Sequence, residues 1–217
     1  MQRGLETLYR VDTGVQITDF VIGPALRDDL VSTRRPREQL LVCEDGEGMS
    51  LALFIDPEAL ANLETNDPSR RLDADNLGDF LLAVEGVSHF IYAALCARAE
   101  RRVSQLELEL QAEVDKYVTC LLTTEPEPDV SSNHRPPSVA ASSTLRHRLF
   151  SEIEYDPDLD DDEQDRYRAA NDNAHRYAAW LETTFVGPRR IPEMLGELRR
   201  FYRQGLAGKL ATIARAA

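Results

Sequence analysis

Glu85 and His89 stand four residues apart inside FLLAVEGVSHFIYAALCA, residues 80–97, the most apolar run in the chain. On a helix that spacing sets a carboxylate and an imidazole on one face, close enough to touch. Such a pair can exchange a proton or supply ligands to a metal ion. Folding the next segment back about residue 101 would set Glu113 opposite His89, with Glu109 one turn away. Glu85, His89, Glu109 and Glu113 are therefore the candidate metal ligands, and Glu85, His89 and Glu113 the candidate catalytic groups. The leading expectation is the plainer one, in which Glu85 is a buried carboxylate held by His89 or by an arginine and fixes helix packing. On that expectation the chain has no catalytic residue, no metal and no cofactor.

Two charge runs are the other candidates. Residues 152–165, EIEYDPDLDDDEQD, carry nine carboxylates. Asp156, Asp158 and Asp160 have the first spacings of a calcium loop, but Asp161 replaces the required glycine and Tyr167 the closing glutamate. Asp158, Asp160, Asp161 and Asp162 are expected to form an acidic turn before a helix N-terminus, where negative charge is favourable, and to offer a surface to a basic partner. From Arg189 the sign reverses: seven basic side chains face only Glu193 and Glu197. Arg199, Arg200 and Arg203, with Tyr202 for stacking, could contact phosphates or a protein partner. An intramolecular match or a solvated helix face is the competing expectation.

The full chain has 38 acidic against 25 basic residues, a net charge of −13, which disfavours nucleic acid and anionic membrane as partners. No phosphate-binding loop, dinucleotide glycine motif, nucleophile elbow, or paired cysteine or histidine zinc motif occurs in the sequence. Cys43, Cys96 and Cys120 are widely spaced within apolar runs and are expected to be buried thiols. The N-terminus lacks the apolar stretch of a signal peptide, and the run at 80–97 is too polar for a comfortable membrane span, so a cytoplasmic location is expected.

The elements that would position these groups divide into two parts. Residues 1–70 read as a β-rich subdomain: LETLYRV and VQITDFVI as one pair of strands, EQLLVCED and MSLALFID as a hairpin around Gly46-Glu47-Gly48. The second pair is nearly continuously apolar, so one strand is expected to be covered on both faces. Asp56 and Pro57 open a short helix. Residues 71–217 read as a helical body, with a buried helix over 76–98 capped at Asn76 and a second helix opened by Ser104 and Glu107. Those two are expected to form an antiparallel hairpin. A flexible Pro/Ser-rich loop is expected over 123–143, a short helix over 144–154, a longer one over 163–185, and a last one from Ile191 onward. The expected fold is helix-rich α+β, a small antiparallel sheet of about four strands packed on a five-helix body.

Function follows less directly. The expectation is a non-catalytic cytosolic adaptor or regulatory protein acting through protein–protein contacts, with a basic protein partner and a homodimer both allowed. One alternative is a metal-assisted hydrolase using the Glu/His cluster. A second is an acidic inhibitor or immunity protein that fills a basic site on a toxin or nuclease.

Overall fold

The computed structural model describes residues 1–31, 35–45, 48–123, 137–153, 155 and 157–216. Among them nine α-helices and one two-stranded antiparallel sheet make the helix-rich α+β fold that the sequence implies. The chain forms two compact units: Met1–Thr7 with Val11–Arg102, and Leu8–Arg10 with Val103–Ala217. The division falls at 102/103, where the sequence reading divides the chain at 70/71, because the buried apolar helix packs on the strands and belongs with them.

Helix α1 (Gln2–Tyr9), whose last two residues belong to the second unit, takes up most of the LETLYRV segment expected as a strand. Leu5 and Tyr9 are its buried positions, one helical turn apart, so the apolar spacing is that of a helix. The expected strand VQITDFVI instead holds a 3-10 turn at Ile17–Asp19 and one parallel bridge from Val21 to Leu53. Glu6, in α1, accepts hydrogen bonds from the Thr13 amide and hydroxyl, which satisfies this loop locally. The sheet therefore has two strands among the described residues. Helix α2 (Pro24–Leu30) precedes β1 (Glu38–Asp45), which pairs with β2 (Gly48–Ile55) in the expected hairpin; its turn, 46–47, lies outside the described residues.

On β2 the consecutive residues Leu53, Phe54 and Ile55 are all buried, so this end of the strand is covered on both faces as its composition implies. Cys43, near the other end of β1, is exposed, whereas Cys96 and Cys120 are buried; the apolar run around Cys43 extends beyond what the fold covers. Asp56 caps α3 (Pro57–Thr65) by accepting from the Glu58 amide. Asn76 immediately precedes α4 (Leu77–Arg98) but does not cap it with its side chain. Its amide donates to the Asn66 and Arg71 carbonyls and its oxygen accepts from the Asp73 amide, which pins the preceding loop. Helix α4 is long and apolar enough to cross a bilayer by length and composition, but 72% of its most apolar window is buried within the protein's own fold, as in a core helix.

The second unit holds α5 (Gln105–Thr123), α6 (Val139–Phe150), α7 (Asp161–Leu181), a π-helical turn (Glu182–Val186), α8 (Ile191–Tyr202) and α9 (Leu206–Ala216). Ser104 caps α5 through the Glu107 amide, as its spacing implies. Helices α4 and α5, expected as one hairpin, fall in different units, and within its own unit α5 packs on α7 and α6. Of the loop expected at 123–143, residues 124–136 lie outside the described residues, and 139–143 are helix. Ser138 starts that helix by accepting from the Ala141 amide, and Ser142 is fully buried.

Candidate functional site

Glu85 and His89 lie on α4, and the third group that meets them comes from β1: Glu38. The hairpin register explains its presence. Glu38 faces Ile55 and Leu40 faces Leu53, so Glu38, Leu40, Leu53 and Ile55 share one face of the sheet. That face packs on α4 at Gly86. A Cβ there would stand 2.9 Å from Glu38 Cγ and 3.2 Å from Leu53 Cδ1. The missing side chain is what lets strand and helix approach this closely.

His89 Nδ1 lies 3.5 Å from Glu38 Oε1, and both side chains are nearly inaccessible to solvent. Glu85 is half-buried. One ligand atom from each of Glu38, Glu85 and His89 lies within 4.8 Å of the others. Two carboxylate oxygens and an imidazole nitrogen can share a proton or coordinate a divalent cation. Glu109 and Glu113, expected to complete this cluster, lie on α5 in the second unit, where Glu113 accepts from Lys116 at 2.8 Å. Glu38 escaped the sequence reading because only the strand register and the gap at Gly86 bring it to α4.

The charged runs are bound into the second unit. Asp160 caps α7 by accepting from the Glu163 amide at 2.7 Å, and Glu163 accepts in return from the Asp160 amide. Asp161 and Asp162 follow in the first turn, exposed. Asp158 is also exposed, and Asp156 lies outside the described residues. Arg199 Nε donates to the Leu8 carbonyl at 2.8 Å, and Arg203 Nη2 donates to the Tyr9 and Arg10 carbonyls. These arginines satisfy the last carbonyls of α1, where cations are favoured. Arg200 is held by Glu197, and Tyr202 is buried with its ring stacked on Tyr9 at 3.9 Å. Tyr202 is therefore not the exposed stacking platform the sequence suggests.

Two polar networks in the second unit were not legible in the sequence. In the first, Tyr9 Oη and Gln111 Nε2 donate to Asp115, and Lys209 Nζ donates to Gln111 Oε1; all four side chains are buried. Burial first, and then the Asp115 carboxylate, holds the Tyr9 phenol well above its usual range. In the second, Ser142 Oγ donates to Glu182 Oε2 at 2.7 Å, so the Tyr117 hydroxyl, 2.7 Å away, is the donor to Ser142. Arg146 reaches Glu182 at 3.5 Å and donates to His175 Nε2 at 2.6 Å. Arginine only donates, so the neutral His175 ring carries its proton on Nδ1. Burial, and then Arg146, lowers the His175 pKa. His175, which looks solitary in the sequence, is thus the end of a five-residue chain that spans α5, α6, α7 and the π turn. His147 is exposed near Glu152, and His134 lies outside the described residues.

Comparison with family models, with curated proteins and with solved structures finds no match to this chain.

Proposed function

We propose that this protein is a cytoplasmic adaptor or regulatory protein that binds a basic protein partner without catalysis. The observation that carries this reading is the inverted polarity of α2. Its Arg27 is buried, with the guanidinium 4.0 Å from the centre of the Phe54 ring, while Leu26 and Leu30 are 49% and 58% exposed. Those two leucines are one helical turn apart, so they form a single outward apolar ridge. A helix that turns its cation inward and its leucines outward suits contact with another protein. Exposed Asp29 on the same helix favours a partner whose contact surface carries basic groups, and exposed Asp161 and Asp162 at the start of α7 offer the second unit's own acidic surface to such a partner.

The remaining polar side chains support this reading by their occupation. Arg199, Arg203 and Asp160 cap helices, and the buried networks join helices to one another. A nuclease or toxin as the basic partner would make the protein an inhibitor.

The test places a photoreactive cross-linker at Leu30 in the native host and identifies what it captures. A single basic protein is expected, captured again with purified components. Leu26→Ser with Leu30→Ser should abolish the complex at unchanged melting temperature, and Asp161→Asn with Asp162→Asn should weaken it. Undiminished binding by the leucine variant would overturn the reading.

A further inference from the structure

We propose that Glu38, Glu85 and His89 form a site for one divalent transition-metal ion of the zinc or manganese class. This site is independent of the partner-binding reading, which concerns α2 and α7. Three observations converge on it. One ligand atom from each residue lies within 4.8 Å of the other two. Tetrahedral ligand atoms at about 2.0–2.2 Å from a common ion stand roughly 3.3–3.6 Å apart; His89 Nδ1 and Glu38 Oε1 already have that separation at 3.5 Å, and rotation of the Glu85 side chain closes the site.

The ligands come from two elements, β1 and α4, which pack directly on each other at Gly86. A metal site built across a strand and a helix is held by the fold and does not depend on one mobile surface turn. Gly86 supplies the third observation. An alanine there would press its Cβ to 2.9 Å from Glu38 Cγ and 3.1 Å from Glu38 Oε1. The notch in α4 is therefore shaped around the Glu38 carboxylate.

The donor set selects the ion. Two carboxylate oxygens with one imidazole nitrogen suit zinc, manganese or ferrous iron; copper(I) wants thiolate or thioether ligands, and calcium wants six to eight oxygens. Glu38 and His89 form the dry side of the site, and half-buried Glu85 marks the side open to water. Three protein ligands leave a further coordination position for water.

The experiment uses the full chain stripped with chelator and titrated with zinc(II) and manganese(II) by calorimetry. One saturable equivalent is expected. Glu85→Gln and His89→Gln should each weaken it by more than about tenfold, the lower end of what losing even an outer-shell partner costs, with circular dichroism unchanged. Cobalt(II) bound to the unaltered protein should shift the ring resonances of His89 and leave those of His147 and His175 in place. This spectroscopic readout stands even where a variant fails to fold. No saturable uptake, full uptake in both variants, or cobalt shifts on another histidine would each overturn the site.

Discussion

Tyr117, Cys120 and His175 set the two ends of the pH range over which the second unit should hold together. Burial pushes the Tyr117 phenol and the Cys120 thiol up to about 12, against ordinary values of 10.0 and 9.0. The folded state therefore favours their neutral forms. For a raised pKa, the stability contribution is complete below the unfolded value and is lost as pH rises through the folded one. For Tyr117 it is of order 2–3 kcal/mol, two pKa units converted. His175 works in the opposite sense. Its folded pKa is lowered from 6.5, so the folded state again prefers the neutral ring, and stability falls as pH drops below that value. Protonation would also remove the acceptor for Arg146 and set two cations side by side. Urea midpoints measured from about pH 5 to 11 should give a plateau that declines on both sides. Tyr117→Phe should flatten part of the alkaline decline and His175→Gln the acid one. A profile unchanged by either substitution would show that these groups do not set the limits.

At the scale of elements, the contact of β1 with α4 concentrates its consequences at Gly86. In an exposed helix, replacing glycine by alanine stabilises by about 1 kcal/mol. Here the new methyl would meet Glu38 and Leu53 inside ordinary contact distance, so helix propensity and packing oppose each other. Overpacking a close contact costs about 1–3 kcal/mol, which outweighs the propensity gain. Gly86→Ala should therefore lower the stability of the first unit, whereas Gly78→Ala, where a Cβ meets nothing within 4 Å, should raise it or leave it unchanged. Denaturant titration of the two variants decides this. Equal effects at both glycines would remove the packing argument. The π turn at Glu182–Val186 belongs to the same scale: it ends α7 where Glu182 accepts from Ser142 and faces Arg146.

For the whole molecule, the telling fact is that three residues near the N-terminus, Leu8–Arg10, belong to the unit otherwise built from residues 103 onward. Tyr9 stacks on Tyr202 and donates to Asp115, and the Leu8, Tyr9 and Arg10 carbonyls accept from Arg199 and Arg203. A fragment beginning at Val103 would leave the face of Tyr202 uncovered, Asp115 short of a donor, and two arginines without these acceptors. The Tyr9–Asp115 bond is buried and charge-assisted, a kind worth about 1.5–3 kcal/mol. The isolated fragment 103–217 should therefore be far more sensitive to protease than the same residues in the full chain. Equal protection would show that this N-terminal contribution is dispensable.

Local information sufficed for the elements whose signals lie within a few residues. The apolar run at 80–97 gave a buried helix, EQLLVCED and MSLALFID a hairpin, Asp56 and Ser104 two helix caps, and the Asp160 region a helix start. Each rests on periodicity or on side chain-to-backbone geometry that the neighbouring sequence already contains. The same short-range rules misread LETLYRV, because apolar residues over so few positions fit a strand or a helix until tertiary burial selects the period. They could name Glu85 and His89 as a pair but not their third partner. Glu38 is 47 positions from Glu85 in sequence. Only the hairpin register and the close approach at Gly86 bring its carboxylate to α4, and only the packing of α5, α6 and α7 joins Ser142 to Glu182 and His175. Sequence spacing fixes contacts along one element; contacts between elements depend on which faces pack, and that is decided by the fold as a whole.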